Sequence, residues 1–248
     1  MLLRRFLTHF RNQDWLAIWL DFIIVVVGIF VGLQVDQWNQ SRKDRVLEQQ
    51  YIASLKGDLV SDIEELDRTI KFARSRAQLG RMIHATVERE SVSGDPNEFI
   101  WAVFNTLWLN YPSYTRATMD ELLSTGNLRL LRNSTIKSEI AAYYTNIEYR
   151  EQWTTNWREM QIAMEHTIPD LLNFGVREAG HLRYTGGPEW ITEEFDFDNS
   201  VATETLHKIL EHPTAIGQIE NMTRIQDSLY WNLVAIRERA VSLIDSLE

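Results

Sequence analysis

Apolar and polar positions divide the chain into two unequal parts. From Leu16 to Val35 it reads LAIWLDFIIVVVGIFVGLQV, apolar apart from Asp21, Gly28, Gly32 and Gln34. About twenty such residues suffice to cross a bilayer core as a helix. Its Leu, Ile, Val and Phe residues favour insertion by about 4–8 kcal/mol, whereas the off-centre Asp21 opposes it by at most about 3 kcal/mol. A transmembrane anchor is expected over residues 15–38, after a basic segment at 1–14 carrying Arg4, Arg5 and Arg11. Trp15, Trp19 and Trp38 stand near its ends, where indoles prefer the interface. After Ala17 the next alanine is Ala53, so no Ala-x-Ala cleavage site follows the run and the anchor is read as uncleaved.

Beyond the anchor the period changes. Ile52, Leu55, Leu59, Ile63, Leu66, Ile70, Ala73 and Ala77 step by three and four, an apolar stripe along a long helix. No strong breaker separates it from the anchor, so one rod is expected to run from membrane to soluble part. Ser91–Pro96 interrupts it, with Asp95 placed to cap and Pro96 to open a helix ending near Leu109. Thr118 to Glu121 reads as a capping box for a short helix that Gly126-Asn127 stops. Asn133 or Ser134 then caps a helix lined by Ile136, Ile140, Tyr143 or Tyr144, Ile147, Trp153, Trp157 and Met164, which Pro169 kinks or ends. Residues 175–202 are irregular, and the last helix, carrying Ile219, Met222, Ile225, Leu229, Leu233, Ile236, Ala240 and Leu243, is long enough to return along the first. The expected fold is all-α: an N-terminal transmembrane helix continuing into a soluble antiparallel helical bundle, residues 39–248, with long coiled-coil-like helices. No second run reaches spanning length, which predicts a single pass.

Within the anchor, Gly28 and Gly32 form a Gly-x-x-x-Gly pair that lets helices approach closely in lipid. Asp21, seven residues before Gly28, lies on nearly the same face, where it meets a partner helix or snorkels to the headgroups. Together with Gln34, these residues are the expected helix–helix contact of a homo-oligomer. Arg11 stands closer to the apolar run than Arg42, Lys43 and Arg45 do at its other end. This favours an inside N-terminus and an exported soluble part.

Composition narrows the chemistry. The chain has 248 residues, a formal net charge of -10 and no cysteine. The charge disfavours nucleic acid as a partner, and the missing cysteine excludes disulfides, thiol nucleophiles and Cys-ligated metals.

Two segments carry a family likeness. GIFVGLQVDQWN resembles the Gly-Ile-x-x-Ala-Leu-Gln-x-x-x-Trp-Asn segment of an uncharacterised family of bacterial membrane proteins. Gly28, Ile29, Leu33, Gln34, Trp38 and Asn39 match it, Gly32 stands where Ala is usual, and Asp21 falls where such proteins often carry Glu. LLSTGNLRLLRNSTIKSEIAAYY resembles that family's Leu-x-x-x-Gly-Asn-Leu block and Tyr-Tyr helix through Leu122, Gly126, Asn127, Leu128, Tyr143 and Tyr144. The resemblance implies a membrane-anchored helical bacterial protein and brings no catalytic residue with it.

No catalytic constellation emerges. Glu204 and His207 make one Glu-x-x-His step, and a di-iron bundle needs two. Asp196, Asp198 and Ser200 begin like a calcium loop, but Val201 and His207 stand where Gly and Glu are required. These acids read better as residues ahead of a helix N-terminus. Tyr149, Trp153 and Trp157 recur one turn apart, as core or as an exposed surface for a protein partner or an apolar ligand. The expected function is a non-enzymatic, membrane-anchored interaction or assembly module of the bacterial inner membrane with a periplasmic soluble part and no cofactor. A ligand-sensing input domain and a membrane-tethered hydrolase are the alternatives.

Overall fold

The computed structural model describes residues 15–105, 108–178 and 197–247, with the side chains of residues 15–18 and Trp153 excepted. The basic segment 1–14 and most of the irregular stretch after residue 178 lie outside the described residues. Helix α1 runs without interruption over Trp15–Arg89, followed by α2 (Pro96–Asn105), α3 (Ala117–Ser124), a 3-10 turn (Asn127–Leu130), α4 (Ser134–Leu171), α5 (Asn199–Glu211) and α6 (Ala215–Ser246). Among the described residues there is no strand.

The first proline of the chain is Pro96, so nothing removes a backbone donor along α1, and at 1.5 Å per residue its 75 residues extend about 110 Å. The expectation of one rod is met. Every residue from Trp19 to Lys43 is exposed, including Trp19, Phe22, Ile29 and Phe30 at over 60%. This helix is long and apolar enough at its N-terminal end to cross a membrane. The first buried residue is Tyr51, and burial then recurs at Leu55, Leu59, Asp62, Leu66, Thr69, Ala73, Arg76, Ala77 and Ile83. The seam centre thus differs from the expected stripe. Ile52, Ile63 and Ile70 flank it, while Asp62, Thr69 and Arg76 enter it because each finds a hydrogen-bond partner there.

Helix α6 covers this seam. Asp67 pairs with Arg237 at 2.6 Å, Arg81 with Asp227 at 2.8 Å, and His84 stands 3.2 Å from Glu220. Residue numbers therefore rise along α1 as they fall along α6. The two helices pack tightly at Gly80, where a Cβ atom would lie 2.0 Å from the Thr223 hydroxyl oxygen. Two apolar clusters follow one another along the pair. Leu55, Leu59, Leu66, Leu122, Ile140, Ile147, Leu233 and Leu243 belong to the one nearer the exposed segment. Ile83, Phe99, Val103, Met164, Leu206 and Met222 belong to the other, and Trp157 packs against both.

Local signals set most boundaries. Asp95 accepts the Asn97 N–H at 2.9 Å, and the described part of α2 reaches Asn105, while Leu109 lies outside any helix. The Asn133 side chain caps α4 through the Thr135 and Ile136 N–H groups. Pro169 sits inside the last turn of α4, which continues to Leu171 before the Leu172 N–H closes on the Ile168 carbonyl. Asp198 caps α5 through Ser200 and Val201, so that helix begins at Asn199, before Ala202. Glu90, which follows α1, holds the left-handed conformation at φ +50.

Candidate functional site

Four polar residues of α1, Glu48, Tyr51, Asp58 and Asp62, converge on the segment between Asn110 and Arg132. Glu48 accepts the Arg132 backbone N–H at 2.7 Å. The Tyr51 hydroxyl donates to Glu121 at 2.8 Å and accepts from the Asn127 amide at 2.9 Å. Asp58 accepts the Thr118 N–H at 3.1 Å, and Asp62 accepts the Thr115 N–H at 2.7 Å. Positions on α1 rise as positions on the segment fall, so a row of acceptors meets the donors of a chain with few backbone partners of its own.

This row corrects the expected capping box. The residue preceding α3 is Arg116, and its side chain makes no cap bond. Asp58 supplies the acceptor from another helix, near the positive end of the α3 dipole. Glu121, expected to reach back to the helix start, faces Tyr51 instead.

Asp62 is the most enclosed member, at 1% exposure, and its second oxygen accepts the Tyr143 hydroxyl at 2.8 Å. Burial pushes its carboxyl above the ordinary range, a shift that the Thr115 and Tyr143 hydrogen bonds oppose and the Asp58 charge adds to. Burial and the Asp62 charge hold the Tyr143, Tyr114 and Tyr144 hydroxyls well above the ordinary phenol range. The Tyr144 hydroxyl donates to the Thr115 carbonyl at 3.3 Å. With both oxygens engaged by a backbone amide and a phenol, Asp62 is an anchoring acceptor for the segment. The buried Arg76 plays a parallel part with opposite charge, donating to the Asn110 side chain at 2.5 Å and lying over the Phe72 ring.

The chain belongs to DUF6090, a family of unknown function. The match covers residues 21–163, from the apolar part of α1 through most of α4. No curated protein and no solved structure matches the chain. The DUF6090 region contains the whole acceptor row and the segment it holds, while α5 and α6 lie beyond the match. The residues singled out in its second segment have defined places. Leu122 is fully buried, Gly126 turns the chain at φ +69 where a side chain would be strained, Asn127 reaches Tyr51, and Tyr143 and Tyr144 reach Asp62 and Thr115.

Asp21, Gly28, Gly32 and Gln34 are all exposed on α1, and a Cβ on either glycine would meet nothing within 4 Å. At 100° per residue, Asp21 and Gly32 fall within about 40° of Gly28, whereas Gln34 lies about 120° away. Gln34 therefore lies on a different face of the helix from the glycine pair.

Tyr149 is 57% exposed and Trp157 partly buried, and both line a cleft of about 440 Å³ between α4, α6 and residues 111–114. Trp153 lies between them on α4, with its side chain outside the described ones. The two described aromatics are thus neither pure core nor open surface. Tyr111 forms part of the same wall; its buried hydroxyl has no hydrogen-bond partner, and burial raises it to about 12 against the lowering effect of Arg158.

Glu204 pairs with Lys208 at 2.7 Å on an exposed face of α5, and Asp198 is the helix cap, lowered by its bonds to Ser200 and Val201. Among the described residues no group of three or more His, Cys, Asp or Glu could hold a metal. Sequence reasoning missed Glu48, Tyr51, Asp58 and Asp62. The available signal was the spacing of Asp62, three residues after Leu59 and four before Leu66, which is a seam position occupied by an acid.

Proposed function

We propose that this DUF6090 protein is a single-pass, membrane-anchored interaction module of the bacterial inner membrane, an antiparallel helical bundle with coiled-coil-like long helices that self-associates through its anchor. One observation carries the reading: α1 joins the wholly exposed apolar stretch ending at Val35 to the buried seam starting at Tyr51 without a break. A protein partner meets the module on the side away from the membrane, and the soluble part is exported. A packing role for Asp62 is supported by the engagement of both its carboxylate oxygens, by the Thr115 N–H and the Tyr143 hydroxyl.

Self-association rests on packing, since apolar collapse cannot join helices in lipid. Replacing Gly28 and Gly32 by Ile fills the groove and should abolish cross-linking of the anchor, residues 1–45. Asp21→Ala should weaken it less, because interhelical polar contacts in membranes average about 0.6 kcal/mol. A monomeric anchor, or one indifferent to the double Ile change, disproves the groove. For orientation, a C-terminal alkaline phosphatase fusion should be active and a fluorescent protein fusion dark; the reverse places the soluble part in the cytoplasm.

A further inference from the structure

The cleft between α4 and α6 contains a charge that its neighbours position but do not neutralise. Arg150 is partly buried, and its Nε donates to Asn146 at 2.7 Å while Nη1 donates to Asn232. Both partners are neutral amides, Asn146 one turn earlier on α4 and Asn232 across on α6. They fix the plane of the guanidinium and leave its positive charge intact, along with three of its five N–H donors. No carboxylate forms an ion pair with Arg150 among the described residues; Glu151, which also lines the cleft, is exposed. A partly desolvated cation without a counter-ion is costly, and a bound anion would relieve that cost.

The rest of the lining combines the aromatic Tyr111, Tyr149 and Trp157 and the apolar Leu229 and Leu233 with the polar Glu151, Thr154, Ser228 and Asn232. Its volume of about 440 Å³ suits a small molecule, and clefts between helices of a bundle are common binding places. The ion pairs Asp67–Arg237 and Arg81–Asp227 bracket the cleft along α1. That places it about 50–70 Å beyond Val35 along the helix axis, out of reach of a lipid seated in the bilayer. The occupant must arrive from water.

We propose that this cleft binds a water-borne, flat apolar carboxylate of one or two rings, its body against Tyr111, Tyr149 and Trp157 and its carboxylate on Arg150. The site gives the sensing alternative a location, and it is independent of the anchor: replacing Gly28 and Gly32 leaves it intact.

The test uses the full chain in nanodiscs, with 2-naphthoate and its neutral amide as probes in equilibrium dialysis against empty nanodiscs. The expected result is saturable binding of one naphthoate per chain, at least about tenfold tighter than the amide, in keeping with a charge-assisted hydrogen bond. Arg150→Gln should remove that preference while leaving the amide within about threefold, the neutral ligand being held by the rings alone. Ser228→Trp, at an exposed lining position, should block both probes and decides the matter if Arg150→Gln fails to fold. Equal binding of the two probes, an unchanged preference in Arg150→Gln, or undiminished binding in Ser228→Trp overturns the proposal. So does uptake that follows lipid content rather than protein.

Discussion

At the scale of single residues, Asp62 governs how stability responds to acid. Its folded carboxyl keeps a proton at a higher pH than the unfolded value of 3.8, because burial disfavours the charge. Between those two pH values the native state binds more protons than the unfolded one, so stability falls as pH rises through the window. The stabilisation is fully present below 3.8 and lost above the raised value. Wild type should therefore gain on Asp62→Asn as pH is lowered from neutrality, in urea unfolding at a series of pH values; a constant difference would contradict this. Asp62→Leu leaves the Thr115 N–H and the Tyr143 hydroxyl unpaired and should cost about 2–6 kcal/mol at about 1–3 kcal/mol per orphaned donor. The tyrosines around it act at the other end of the scale. Tyr111, Tyr114, Tyr143 and Tyr144 all keep their protons above the ordinary value of 10.0, so stability falls as pH rises beyond it. Of the eight tyrosines, these four should ionise only well above that value, Tyr111 at about 12. A single step for all eight near that value would show the cluster to be open.

Among elements, the α1–α6 pairing depends on one missing side chain. Thr223 fills the space beside Gly80, its hydroxyl bonded to the Ile219 carbonyl at 2.8 Å, so a methyl at residue 80 must force the helices apart. Gly80→Ala should destabilise by about 1–3 kcal/mol, the usual cost of overpacking. Adding Thr223→Ala should recover only part, since the Thr223 Cβ already lies 3.0 Å from the added atom. Gly57 is the contrast: it lies on the same helix with nothing within 4 Å, and Gly57→Ala should stabilise by about 0.5–1 kcal/mol. Equal effects of the two substitutions in thermal unfolding would mean that the helices do not touch at Gly80. The elements themselves were legible where the signal is local. Asp95, Asn133 and Gly126 act within a few residues of themselves, and the sequence places them correctly. The cap of α3 was misread because its acceptor, Asp58, stands 60 positions away in the chain.

On the scale of the whole molecule, α1 serves both parts at once: the stretch from Trp19 to Val35 is exposed and mostly apolar, and its later turns enter the core. A fragment beginning at Arg45 keeps Glu48, Tyr51, Asp58 and Asp62 and the entire seam against α6, while losing the apolar stretch. That fragment should be soluble and mostly helical by circular dichroism, and the full chain should stay with membranes through an alkaline carbonate wash. Release of the full chain, or aggregation of the fragment, would break the division. By itself the sequence determined the all-helical class, the apolar stretch, the unbroken rod and most helix starts, because periodicity, proline placement and caps act over a few residues. Tertiary structure alone decided which polar residues enter the core, how α1 grips the segment around α3, and that Tyr149, Trp157 and Arg150 share a cleft. Those outcomes depend on hydrogen bonds and burial between residues far apart in the chain, and no local pattern encodes whether a buried carboxylate or guanidinium will find its partner.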